Sequence, residues 1–263
     1  MQADLKAFAA CGAHGASALT ALTAQSTLAV SAVHAVPPAF IVEQVRAVVE
    51  DLGVDAVKLG MLGGVETIAA VAEALRLVPE EVPVVIDPVM VAESGARLLD
   101  PDAVLALVEQ LLPRATVVTP NLPEARVLAA VGAARCVGAS RADVGADGEA
   151  EALARAIHAL GPRAVVVTGG HRDRAVDVLF DGAAVVEVPG PRHPDGAAHG
   201  SGCTHASALA AHLAHGFSLH DAAFAARGLA AEAVRLGLRG VGAGVGPVDV
   251  LDVLARTPPR QGS

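Results

Sequence analysis

The sequence predicts an α/β fold with a mostly parallel central sheet covered by helices on both faces, and three observations carry that prediction. Short apolar runs rich in Val and Ile alternate along the 263 residues with longer stretches of helical period. Two of these runs, 82–86 and 165–167, are apolar at every position rather than at alternate ones, as strands buried on two faces must be. Hydrophobic residues supply 53 % and charged residues 18 % of the chain, enough to bury the core of one large domain. With no Trp or Tyr and only five Phe, that core is built from Ala, Val and Leu.

Taken in chain order, strands are expected at 16–22, 56–59, 83–86, 115–118 and 164–168. Two more, 176–180 and 184–188, flank Asp181-Gly182 and read as a hairpin. Ile41, Val45, Val48 and Leu52 recur at helical spacing, and Asp100-Pro101 reads as an N-cap followed by a first-turn proline. The segment 132–148, rich in Gly, Ala and Asp, is expected to be a surface connection. Residues 1–255 then form a single domain, and 256–263 form a disordered polar tail. In open parallel sheets ligands bind beyond the carboxyl ends of the strands, which directs attention to Asp87, Asn121, Gly169 and the loop before Cys203.

Charge and cysteine usage exclude several classes of function. Lys and Arg number 19 against 28 Asp and Glu, a net charge of −9 that repels a phosphate backbone, so nucleic acid is not expected as a partner. Residues 7–42 carry no charge, yet Gly12, His14, Gly15, Gln25, His34, Pro37 and Pro38 interrupt them, so no membrane span is expected. Asp4 in the would-be basic region, and an apolar stretch of only 7–10, argue against a signal peptide. Cys11, Cys136 and Cys203 are odd in number and widely spaced, fitting neither a disulfide framework nor a zinc site. A cytoplasmic location is the expectation.

Three segments carry chemistry. His199-Gly200-Ser201-Gly202-Cys203-Thr204 precedes an Ala-rich helical run. Glycines allow successive N–H groups to converge at a helix N-terminus, where an anion such as phosphate is held. The same helix start favours a thiolate at Cys203, lowering it from the free value of about 8.5 and making it a candidate base. The competing reading is a glycine cap on a buried helix with an inert cysteine. In Thr119-Pro120-Asn121-Leu122-Pro123-Glu124, the Glu124 carboxylate is either a Mg²⁺ ligand acting through water or a partner of the helix dipole below an Asn121 cap. Asp87, just beyond an apolar strand, is either a binding group or an Asp turn closed by Pro88.

In this order, these segments resemble the hydroxymethylpyrimidine and phosphomethylpyrimidine kinases of thiamine biosynthesis, members of the ribokinase-like superfamily. The resemblance spans nearly the whole chain. Its other matching segments are residues 2–6, 20–25, 58–62, 87–90, 94–95, 169–171 and 244–248. It implies a three-layer ribokinase-like fold that uses ATP and Mg²⁺. It also implies that Asp4 and Gln25 bind an aminopyrimidine with Met61 beside it, and that Gly200, Ser201, Gly202 and Cys203 form the anion hole. Asp87 and Glu124 would organise Mg²⁺, and Asn121, Thr168, Gly170, Gly244 and Gly246 would border the nucleotide. The wider superfamily has an Asp base where Cys203 stands, so a cysteine favours pyrimidine and some pyridoxal kinases over sugar kinases. A homodimer is also implied, with the charge-free 7–42 region as a candidate interface.

The chain departs from the family pattern in four ways. The first strand and its glycine-rich loop, expected just before residues 2–6, are missing. Thr168 and Ala243 stand where lysines are usual, and Glu93 replaces another lysine. The expected activity is phosphorylation of 4-amino-5-hydroxymethyl-2-methylpyrimidine and then of its monophosphate. The alternatives are a pyridoxal kinase and a truncated, non-catalytic pyrimidine-binding form.

Overall fold

A computed structural model describes residues 1–92, 94–135, 148–169 and 175–256. In chain order the first elements are α1 (Gln2–Ala10), β1 (Ala21–Gln25), β2 (Val30–Ala35), α2 (Pro38–Asp51), β3 (Val57–Leu59) and α3 (Val65–Leu75). They are followed by β4 (Val84–Ile86), α4 (Pro101–Gln110), β5 (Val117–Val118), α5 (Leu122–Arg135) and α6 (Glu149–His158). The chain then forms β6 (Val165–Val167), β7 (Val176–Phe180), β8 (Val185–Pro189), α7 (Ser201–Ala214), α8 (Leu219–Arg235) and α9 (Val253–Arg256). Six strands make one sheet in the order β3-β4-β5-β6-β7-β8, parallel from β3 to β6 and antiparallel across β6-β7-β8.

Alternation along the strands sorts the core into two layers. Val84, Ile86, Val118, Val165 and Val167 face a cluster shared with α2 to α6. Val85, Val117, Val166 and Leu179 face the other way, onto Ala206, Leu209 and Ala210 of α7 and Ala222 and Ala226 of α8. The alanines let α7 and α8 lie close to each other and to the sheet, so tight packing replaces the aromatic bulk that the sequence lacks. The β7-β8 hairpin turns at Asp181-Gly182 as expected: Asp181 Oδ1 accepts from the Ala183 and Ala184 amides at 2.9 and 2.8 Å, and Gly182 takes φ +92°.

Several expectations are corrected. No strand covers 16–22: β1 begins at Ala21 and pairs antiparallel with β2, which the sequence reading missed, in a separate two-stranded ribbon. The preceding backbone finds a side-chain partner in place of a strand. The Leu19 N–H donates to Gln44 Oε1 at 2.9 Å, and Gln44 Nε2 donates to the Leu19 carbonyl at 3.0 Å. The ribbon is exposed on both faces, so no apolar alternation marks β2. The expected loop from 132 starts late, because α5 runs to Arg135; Gly132 lies so close to Leu160 that a Cβ there would sit 2.8 Å from its Cδ2. Residues 136–147 of that loop and 257–263 of the tail lie outside the described residues, and Arg256 belongs to α9. Asp100 occupies the N-cap position of α4 with Pro101 in the first turn, but its side chain makes no capping hydrogen bond.

Gln2 already lies in α1, and among the described residues β3 pairs only with β4, so it forms one edge of the sheet. A cavity of about 1300 Å³ runs along that edge, with Ile41 and Val48 of α2 and Leu75 of α3 on one side and Ala210 and Ala214 of α7 on the other. At its far end it opens over the carboxyl ends of the parallel strands.

Candidate active site

The turn entering α7 builds one wall of this cavity. Gly200 is left-handed at φ +88°, and a Cβ there would meet Ala3 at 3.3 Å, so the helix starts in a conformation that suits glycine. The preceding residue is pinned from both sides, with the His199 N–H donating to the Gly246 carbonyl at 3.2 Å and its own carbonyl accepting from Val248 N at 3.0 Å. The Ser201 amide donates to the Ala198 carbonyl at 2.9 Å and is internally paired. The Gly202 and Cys203 amides have no backbone acceptor among the described residues. Two N–H groups without a backbone acceptor at the start of a 14-residue helix could hold an anion.

The other sequence candidates converge on the same cavity. Asp4, Gln25 and Met61 line it, as do Asp87, Asn121, Glu124 and Thr168. Gln25 is exposed at the ribbon's end, where Thr23 Oγ1 donates to its Oε1 at 3.4 Å. Gly244 and Gly246 do not line the cavity. The Gly244 amide donates to Thr27 Oγ1 at 3.2 Å, and a Cβ on either glycine would run into backbone, at Thr27 O or Leu238 O. These glycines serve close packing, of the ribbon's turn in one case and of the 238 backbone in the other. Gly170 and Glu93 lie outside the described residues.

Asn121 and Glu124 form a reciprocal capping box at the start of α5. The Glu124 amide donates to Asn121 Oδ1 at 2.9 Å, and the Asn121 amide donates to Glu124 Oε2 at 3.0 Å. Met90 N also donates to Glu124 Oε1 at 3.3 Å, so the helix-capping reading holds and both carboxylate oxygens are engaged. Burial, then the neighbouring Asp87 charge, push the Glu124 carboxyl up to about 7 against the pull of these amides. The folded state therefore favours protonated Glu124, a contribution complete below the ordinary value of 4.5 and lost as pH rises through about 7. Relative to Glu124→Gln, which keeps an acceptor for the cap, the wild type should lose roughly 2–3 kcal/mol between pH 4.5 and 8 in urea unfolding. Parallel curves would remove this assignment.

Asp87 is buried, and its Oδ2 has no hydrogen-bond partner among the described residues, although Lys58 Nζ stands 3.4 Å away. An orphaned carboxylate oxygen beside a second carboxylate, raised by burial and then by its charge, fits a divalent cation. No cluster of three or more His, Cys, Asp or Glu side chains exists among the described residues, so such an ion would depend on water and ligand oxygens for its other contacts.

The sequence reading gave Lys58 no role. It is a lone charge within the apolar strand β3, and that incongruity is the signal that could have found it. Its Nζ lies 2.9 Å from Asp4 Oδ1, which also accepts from Ser207 Oγ at 2.7 Å, while Asp4 Oδ2 pairs with the Met1 ammonium at 2.7 Å. Burial acts to raise Asp4, but Lys58 and the terminal ammonium outweigh it and hold the carboxyl at about 2. Burial likewise acts to lower Lys58, yet Cys203 when ionised, Asp87 and Asp4 keep it above the ordinary lysine range. The expectation of a depressed Cys203 is not met: burial pushes the thiol up to about 12, against the pull of Lys58.

Residues 1–249 match the family described as phosphomethylpyrimidine kinase. The chain belongs to that family. It is 45 % identical over 251 residues to a hydroxymethylpyrimidine/phosphomethylpyrimidine kinase of Rhizobium meliloti, covering 94 % of this chain and 90 % of that protein. It is 46 % identical to the thiamine biosynthesis bifunctional protein ThiED of Geobacter sulfurreducens, covering 95 % of this chain but only 49 % of that longer protein. Among solved structures, pyridoxal kinase from Staphylococcus aureus in complex with AMP-PCP and pyridoxal matches with a TM-score of 0.81 at 32 % identity, covering 95 % of this chain and 87 % of that one. Phosphomethylpyrimidine kinase from Clostridium difficile matches at 0.71 and 34 %, covering 86 % and 89 %. This family member is therefore a phosphotransferase of the ribokinase-like fold.

Proposed function

We propose that the chain transfers the γ-phosphoryl of ATP to 4-amino-5-hydroxymethyl-2-methylpyrimidine and then to its monophosphate, supplying the diphosphate to thiamine biosynthesis. One observation carries this reading: Gly202 and Cys203, whose amides have no backbone acceptor among the described residues, line the same cavity as Asp4, Gln25 and Glu124. Phosphoryl transfer asks mainly for alignment and charge neutralisation. In this reading Asp4, Gln25 and Met61 orient the ring, and the hydroxymethyl oxygen bonds to phosphorus as the bridging oxygen leaves with ADP. The two amides meet the charge spreading over the phosphoryl oxygens. In the first transfer Cys203 Sγ gives its own proton to solvent, a loss favoured by the Lys58 ammonium, and then takes up the hydroxyl proton of the substrate.

Asn121 and Thr168 border the nucleotide, and the AMP-PCP complex of the Staphylococcus aureus relative supports ATP as the donor. Asp87 and Glu124 would hold Mg²⁺, which when bound neutralises phosphate charge. Free thiols at Cys11 and Cys203 support the cytoplasmic assignment. Among the described residues no helix is long and apolar enough to cross a membrane. The homodimer is supported by the ribbon, which exposes Leu22, Leu28 and Val33 and which alone is a marginal structure.

The second reading, phosphorylation of pyridoxal, is favoured by the higher TM-score to the pyridoxal kinase. An ADP-release assay with each alcohol separates the two. Turnover of the pyrimidine at a kcat/KM at least tenfold above that of pyridoxal is expected. The reverse ratio would assign the chain to pyridoxal, and pyrimidine binding without ADP release would support the non-catalytic form.

A further inference from the structure

We propose that Lys58 is a positioning residue that ties the pyrimidine side of the cavity to its phosphoryl side by holding Asp4 and Asp87 to one ammonium. The proposal rests on the kinase reading above for the names of the two sides. Lys58 sits mid-strand in β3 with only 4 % of its side chain exposed, and it lines the cavity. Its Nζ is 2.9 Å from Asp4 Oδ1 on α1 and 3.4 Å from Asp87 Oδ2 beyond β4. Because Asp4 Oδ1 also accepts from Ser207 Oγ at 2.7 Å, α1, β3, α7 and the end of β4 all meet at this one cation.

The path of the arm is specified by its neighbours. A Cβ at Gly60 would stand 2.9 Å from Nζ, so the glycine two residues on leaves room for the ammonium to cross the strand end. Asp87 Oδ2 has no hydrogen-bond partner among the described residues, and the Lys58 ammonium stands 3.4 Å from it as an ion-pair partner that biases where the oxygen points. Without the Lys58 ammonium, half-buried Asp4 would keep only the Met1 ammonium and Ser207, buried Asp87 would lose the cation beside it, and the two carboxylates would turn apart or take up protons. Asp4 would then lose the orientation from which it meets a ring, and Asp87 would lose its registration against the cradle. A lysine suits this task because a compact ammonium carries three donors that can be directed to several acceptors, whereas a guanidinium is a planar fork.

The test compares wild type, Lys58→Met, Lys58→Ala and Gly60→Ala in steady-state ADP release, with pyrimidine binding followed by calorimetry. Lys58→Met is expected to raise the pyrimidine KM at least tenfold and lower kcat 10–100-fold, while the ATP KM changes less than threefold. Added ethylammonium is expected to restore saturably at least tenfold of the rate lost by Lys58→Ala, and ethanol is expected to restore none. Gly60→Ala, which keeps the lysine but presses on its ammonium, guards against variants that fail to fold and should raise the pyrimidine KM several-fold. Wild-type kinetics in Lys58→Met, an unchanged pyrimidine KM in Gly60→Ala, or loss without amine rescue would each overturn the proposal. If wild type binds the pyrimidine without phosphorylating it, the kinase reading fails on its own. A tenfold loss of pyrimidine affinity in Lys58→Met then still supports the positioning role, and unchanged affinity refutes it.

Discussion

Cys203→Ala is expected to lower kcat by about 10²–10³-fold, the usual contribution of a positioned proton acceptor, with little change in thermal stability. The side chain lines the cavity, so its truncation leaves a wider solvent-accessible pocket and no void in the core. The pH profile is more diagnostic than the magnitude. Because burial pushes this thiol up to about 12, a mechanism that needs its anion gives a kcat rising with pH through the neutral and mildly alkaline range. That slope should vanish in Cys203→Ala. A variant with wild-type kcat, or with the same slope at lower kcat, would remove sulfur from the proton transfer and leave the amides as the loop's whole contribution.

Gly200→Ala tests the cradle itself. At φ +88° a methyl group strains the backbone by roughly 1–3 kcal/mol, and its contact with Ala3 at 3.3 Å forces the turn or α1 to shift. A shift of a few tenths of an ångström moves the Gly202 and Cys203 amides away from the developing charge, where one lost donor is worth about 10²–10³ in rate. The expected result is a kcat/KM lower by at least two orders of magnitude, with a melting temperature reduced by only a few degrees. An unchanged kcat/KM in a folded variant would show that the turn does not carry the phosphoryl.

The strands of the main sheet were legible because burial on two faces leaves an unbroken apolar signature. Val84, Val85 and Ile86 are all fully buried, and no polar alternation competes with them. The ribbon was illegible for the opposite reason, since a surface wet on both sides imposes no pattern on Val30–Ala35. At the site, motif residues such as Asp87 and Gly200 were found by their position after strands and before a helix. The roles of Gly244 and Lys58 depend on contacts with Thr27, Asp4 and Asp87, some far away in sequence, and no local spacing encodes them. Cys203 was misjudged because a helix start is visible in a sequence, whereas the distant segments that wall a half-buried thiol off from water are not.

The arrangement around β3 has a consequence for local opening. A three-residue strand that pairs on one side only among the described residues, beside a large cavity, carries the cation to which two acidic groups are fastened. Local fraying there releases Lys58 while the remaining strands stay intact. Any condition that frays this edge therefore costs the site its cation before it costs the molecule its sheet.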